Sequence, residues 1–164
     1  MTASIIVADE VVRQAIEKNE KITGYQLQLI LYYLDVISLL ENNKHLITDE
    51  KFKKYPCGPH LTKVSELYKY SQDILTEVKP YIYLTKVNGN DETRTYHFSV
   101  NDVDVETRQF IQKYLTKLIN CNIANLEEYV RADPQLIRVE ELYNDKDTIK
   151  YYQNIIKEGQ NEYI

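Results

Sequence analysis

Residues 22–41 constrain this chain more than any other stretch. Thr23-Gly24-Tyr25-Gln26 is a helix-start signal. The Thr23 hydroxyl accepts from the Gln26 amide, the Gln26 side chain reaches back, and Ile22 and Leu27 staple the two sides of the cap. From there Leu27, Leu29, Ile30, Leu31, Leu34, Val36, Ile37, Leu39 and Leu40 leave only a narrow polar stripe of Gln28, Tyr32 and Asp35. A helix apolar on nearly every side is surrounded by protein or by lipid. Its apolar run of about 15 residues is shorter than the ~18 a membrane span needs, and no other stretch is longer. We read about residues 24–41 as a central buried helix.

The chain is long enough to wrap such a helix. Its 164 residues are 43% apolar with four Gly and four Pro, and a chain of this mass buries about 70% of its unfolded surface. No repeat or Gly/Ser/Pro-rich linker divides it, so residues 1–164 read as one domain. A first helix is expected from Ser4 to about Lys18, with Ile5, Val12, Ala15 and Ile16 inward. Asn42 and Asn43 end the core helix. An extended stretch, Leu46–Tyr55, leads into Pro56-Cys57-Gly58-Pro59, where Gly58 suits a tight turn and Pro59 the first position of a third helix. Leu61, Val64, Leu67 and Tyr68 give that helix its apolar face. Tyr81–Val87 and Arg94–Val100, joined by Asn88–Asp91, read as a β-hairpin. Asn101 is the expected cap of a helix to about Asn120, with Phe110, Ile111, Tyr114, Leu115 and Leu118 buried. Asn125 and Asp133-Pro134 look like starts of short helices, Leu126–Arg131 and Pro134–Tyr143. A last helix, Asp147–Glu158, carries Ile149, Tyr152, Ile155 and Ile156. The expected fold is mainly α with one small β-hairpin, a compact helical domain around the buried helix.

Charge and motifs narrow the function. With 20 Lys+Arg against 25 Asp+Glu the net charge is −5, which disfavours binders of nucleic acid and of membrane surfaces. The N-terminus lacks a signal peptide's basic region, and Asp9-Glu10 interrupts the apolar stretch after it. Two cysteines make no disulfide framework, so a reduced, cytoplasmic protein is expected. Cys57 and His60 stand at C-x-x-H spacing, half of a zinc site or a thiol and its base. His45, His97 and Cys121 stand singly, so a turn cysteine and a solvated histidine are expected instead. The four glycines make no phosphate loop. Glu127-Glu128 and Glu140-Glu141 read as solvated faces. No catalytic, cofactor-binding or metal constellation emerges, and the chain is not read as an enzyme. Lys51-Phe52-Lys53-Lys54-Tyr55 is the one basic, aromatic-bearing cluster. The order helix, turn, helix, hairpin also suits a winged-helix DNA-binding regulator. Its charges are balanced, however, with Lys63 and Lys69 against Glu66, and Lys86 and Arg94 against Asp91 and Glu92.

Of 18 aromatics, 15 are Tyr and none is Trp. Tyr68 and Tyr114 fall on buried faces, Tyr32 on a half-buried stripe, and Tyr81, Tyr83 and Tyr96 in strands. Tyr55 by the turn and Tyr151 opposite the apolar face of the last helix have no packing duty. Tyr is enriched at interface hot spots, so Tyr55, His60 and Tyr151 are the candidate partner-binding residues.

The segment Ile22-Thr23-Gly24-Tyr25-Gln26-Leu27-Gln28-Leu29-Ile30-Leu31-Tyr32-Tyr33 resembles the "IT-x-x-x-LQKLLYY" opening of the Panacea-domain family, the SocA-like, phage-associated antitoxins. Phe52–Pro59 is similar to that family's "F-x-A-W-x-x-GP" turn, and Val64, Tyr68 and Tyr70 to its "VY-x-x-Y-K-x-Y" helix. Leu126–Pro134 faintly resembles "L-x-x-x-T-H-x-x-x-P-W". Thr23, Leu27, Gln28, Leu31, Tyr32, Tyr33, Gly58 and Pro59 are the scaffold positions that match. The family's lysine falls on Leu29, its tryptophan on Tyr55 and its late histidine near Arg131, which puts any activity carried by those residues in doubt here. The resemblance implies an antitoxin that neutralises a cognate toxin by direct binding, and it also implies a AAA+ protease as a further partner. A phage-encoded inhibitor of a host defence protein would use the same physics.

Overall fold

The computed structural model describes residues 3–120 and 123–157. Within them the chain runs α1 (Ala3–Glu17), α2 (Gly24–Asn42), β1 (Lys53–Tyr55), β2 (Gly58–His60), α3 (Thr62–Leu67), β3 (Tyr81–Val87), β4 (Asn90–Tyr96), α4 (Val105–Asn120), α5 (Ile123–Ala132) and α6 (Asp145–Lys157). Short 3-10 turns lie at Val100–Asp102 and Pro134–Ile137. The fold is mainly α with small antiparallel hairpins.

The start of α2 follows its sequence signal. Thr23 Oγ1 accepts from Gln26 N at 3.1 Å, and Gln26 Oε1 accepts from Thr23 N at 3.0 Å. Asn43 closes the helix in the left-handed conformation, φ 54°. Helices α1, α4, α5 and α6 all pack on α2, and Leu27, Ile30, Leu31, Tyr33, Leu34 and Ile37 are fully buried. The polar stripe is buried as well, so Tyr32 is a core residue, 3% exposed, and not half-buried. Neighbouring backbone makes the burial of its two more polar members possible. The Gln28 amide donates to Leu61 O at 3.1 Å and accepts from Leu61 N at 2.9 Å. Asp35 Oδ1 accepts from Leu46 N and Ile47 N at 2.7 and 3.1 Å. The buried amide and the buried carboxylate thus each meet partners.

In α1, Ile5, Val12 and Ala15 point inward as expected. Ile16 does not: it is 40% exposed, because Val7, Ala8 and Val11 complete the inward face. The acidic pair Asp9-Glu10 is fully buried. Glu10 is held by Arg13 Nε and Nη2 at 2.8 and 2.7 Å and by Gln14 Nε2 at 3.0 Å. Asp49, 45 residues downstream, accepts from Ser4 N at 2.8 Å and so caps α1.

Several local expectations are corrected. Of Leu46–Tyr55 only Lys53–Tyr55 is strand, and it pairs with Gly58–His60. Pro59 therefore lies opposite Lys54 in β2 and does not open a helix; α3 starts at Thr62. Gly58 has φ +125°, which lets the chain turn back after Pro56-Cys57. In the larger hairpin the second arm begins at Asn90, not Arg94. Only Asn88 and Gly89 turn, both at positive φ, as a two-residue turn between right-twisted strands requires. Asn101 lies in the 3-10 turn, and Asp104 caps α4 instead, accepting from Thr107 N at 2.8 Å. Helix α5 begins at Ile123, before Asn125. Asp133 does accept from Gln135 N, but helix stops at Ile137. The segment after it runs to β1, where Lys54 N donates to Glu141 O at 2.8 Å. The last helix starts at Asp145; the side chain of Ile156, Glu158 and Cys121 lie outside the described residues.

Candidate functional site

The segments that carry the resemblance meet at the β1–β2 hairpin. Helix α2 passes beside β2 because Gln28 grips Leu61, and α5 lies against β2 as well. The start of α2 meets the chain after α3 through Tyr25 N, which donates to Ser71 O at 3.0 Å. Gly24 permits this approach, since a Cβ there would stand 1.9 Å from Lys69 O.

A row of aromatic rings results. Tyr55 lies over His60 with ring centroids 4.3 Å apart, His60 meets Tyr70 at 5.5 Å, and Tyr70 meets Tyr25 at 5.2 Å. Edge and tilted geometries of this kind are favourable beyond simple burial. Tyr55 is the open end of the row, 37% exposed, and Tyr25 and Tyr70 are half-buried. Burial raises the Tyr25 hydroxyl to about 12, with the Glu127 carboxylate adding to the shift. Tyr70 is also raised, by burial and then by its hydrogen bond with Cys57. Glu127 and Arg131 of α5 border the row at Tyr25, and with Glu128 they frame a shallow open depression.

His60 is not the solvated residue expected from the sequence. It is 8% exposed. Ser65 Oγ donates to Thr62 O at 2.8 Å, so at 2.9 Å it accepts from His60 Nε2, which fixes the proton there. His60 Nδ1 is buried with no hydrogen-bond partner. Burial, and then Lys53, lower its pKa, so the ring is neutral.

Tyr151 lies elsewhere. It is half-buried on α6, its hydroxyl donates to Tyr129 O at 2.7 Å, and its ring meets Tyr152 at 4.9 Å. It therefore has the packing duty that its sequence position hid. Tyr55 and His60 come together; Tyr25, Tyr70 and Glu127 are the members that sequence reasoning left out. Gly24 was the available signal, because a small residue inside a strong helix start marks a close backbone approach.

The basic cluster is largely structural. Phe52 is buried, Lys54 Nζ donates to Gln135 O at 2.9 Å, and Lys53 pairs with Glu141 at 3.5 Å. Helix α3 has only six residues, and its Lys63 is tied to Asp49 at 3.2 Å. Among the described residues no three His, Cys, Asp or Glu side chains gather as metal ligands, and no helix is long and apolar enough to cross a membrane. No family model matches the chain, and no curated protein or solved structure is significantly similar to it.

Proposed function

We propose that this protein is an antitoxin-like binding protein that neutralises a cognate toxin by direct contact through the aromatic row. The observation that carries this reading is the convergence of Tyr25, Tyr55, His60 and Tyr70, from four separate segments, on one face beside Glu127. A packed aromatic row with a buried centre, half-buried flanks and one exposed ring has the form of an interface anchor. Tyrosine faces attract a partner's Lys or Arg side chain, and Glu128 with Glu127, the latter 3.9 Å from Arg131, offers it carboxylates. The resemblance of these same segments to the Panacea-domain family supports the reading. A winged-helix function has less support, because α3 is short and its Lys63 is paired.

The test is co-expression with the product of the adjacent reading frame. Growth rescue and co-purification are expected, with Tyr55→Ala weakening the complex about ten-fold or more. Failure of both rescue and co-purification by the unaltered protein would sink the proposal.

A further inference from the structure

A second site is independent of the aromatic row. A cleft of about 560 Å³ lies between α2, the 45–52 segment and the start of α6. That volume suits a small-molecule ligand. Tyr32, Phe52 and Tyr143 form an aromatic wall, with Tyr32 5.2 Å from Phe52 and 5.1 Å from Tyr143, centroid to centroid.

Two polar atoms of its lining are buried and complete no hydrogen bond: Tyr143 Oη and Glu50 Oε2. Tyr32 Oη is met by the Thr148 hydroxyl, which accepts from the Gln135 amide at 2.9 Å and keeps its own O–H to donate. The other Glu50 oxygen accepts from Lys63 N at 3.3 Å. A buried polar atom left unsatisfied is costly, so two in one cleft mark a place where an outside group completes the bonding. Lys51 and Lys146 also line the cleft and have no carboxylate partner among the described residues. His45, by contrast, is already committed to Asp35 and Asp145.

These features select one class of ligand. A flat ring system stacks on the aromatic wall, an N–H donor satisfies Glu50 Oε2, and an anionic group answers the two lysines. An aliphatic acid leaves the carboxylate and the Tyr143 hydroxyl unsatisfied, and a simple cation leaves the lysines unpaired. We propose that the cleft binds a nucleoside monophosphate whose base carries an exocyclic amino group.

The test is calorimetric titration and thermal melting of the full chain with AMP, GMP and IMP, with adenosine and guanosine beside them. IMP differs from GMP only in lacking the amino group. Binding of AMP or GMP is expected, at least ten-fold tighter than IMP and tighter than the matching nucleoside. Glu50→Gln removes the preference over IMP, and Lys146→Ala brings the nucleotide down to the nucleoside. Tyr143→Phe keeps the ring, so it folds and binds more weakly. No binding of AMP or GMP at about 1 mM to the folded unaltered protein overturns the proposal, since water alone would then fill the cleft. Binding that is indifferent to the amino group and to Lys146 overturns it equally.

Discussion

At the scale of single residues, two positions in the first turns of α2 set predictions that run against ordinary propensity. Ala is a better helix former than Gly by about 1 kcal/mol, yet Gly24→Ala is expected to destabilise the protein. Its Cβ would stand 1.9 Å from Lys69 O, a backbone atom that cannot move without shifting the chain after α3. A loss of roughly 2 kcal/mol or more in urea unfolding is expected; a gain would show that the two segments part easily. Gln28→Leu places an apolar residue in an apolar core and is also expected to destabilise. It strips Leu61 N of its partner, at about 1–3 kcal/mol for a buried group left unsatisfied, and leaves Leu61 O with Ser65 N alone. Gln28→Glu keeps the acceptor for Leu61 N alone, and it adds a buried charge, so it does not rescue.

At the scale of elements, the β3–β4 hairpin stands apart from the core. Ile82 and Leu84 are 62% and 71% exposed on one face of it, and Tyr81 and Tyr83 stack on each other at 6.0 Å on the opposite face. Replacing Ile82 and Leu84 together by Ser is therefore expected to change the unfolding free energy in urea by less than about 1 kcal/mol, while reducing aggregation on heating. A large loss of stability would place the hairpin in the cooperative core. Its existence was legible from β-branched residues around Asn-Gly, as α2 was from its cap and apolar run. Boundaries set by distant partners were not. Asp49 caps α1 from 45 residues away, and Glu141 pairs with Lys54, which turns an expected helix into an extended segment. The aromatic row was half legible: Tyr55 and His60 flank the turn, but Tyr25 and Tyr70 join them only through the tertiary approach at Gly24. Tyr151 looked free because the Tyr129 carbonyl it meets belongs to another helix.

At the scale of the whole molecule, titrating groups in several elements shape stability with pH. Burial opposes ionisation of Glu10 and Asp49, yet their hydrogen bonds and cationic neighbours hold both below the ordinary carboxylate range. Asp104 is lowered chiefly by the Thr107 amide it caps. The stabilisation from these three is present above the unfolded carboxylate range and is lost as pH falls through the folded values. Asp9 works in the opposite sense. Burial raises it to about 7, despite the hydrogen bond that Tyr68 Oη donates at 2.5 Å. The folded protein keeps this proton where the unfolded chain releases it, so stability falls between about pH 4 and 7. His45 is raised to about 9, chiefly by its hydrogen bond to Asp35 at 2.7 Å and also by Asp145 at 2.9 Å. Its contribution is complete below the unfolded value near 6.5 and is lost as pH rises through about 9. Because the ring is partly exposed, solvent screening holds this to roughly 1 kcal/mol. Together these groups place the expected stability maximum on the mildly acidic side of neutrality. Urea unfolding across the acid and alkaline limbs checks it, with two variants separating the causes. Asp9→Asn keeps an acceptor for Tyr68 and should flatten the decline between about pH 4 and 7. His45→Asn should be less stable than the unaltered protein at about pH 6 and equal to it above about pH 10. An equal loss at both ends would mean that His45 joins α2 to α6 by packing and not by charge.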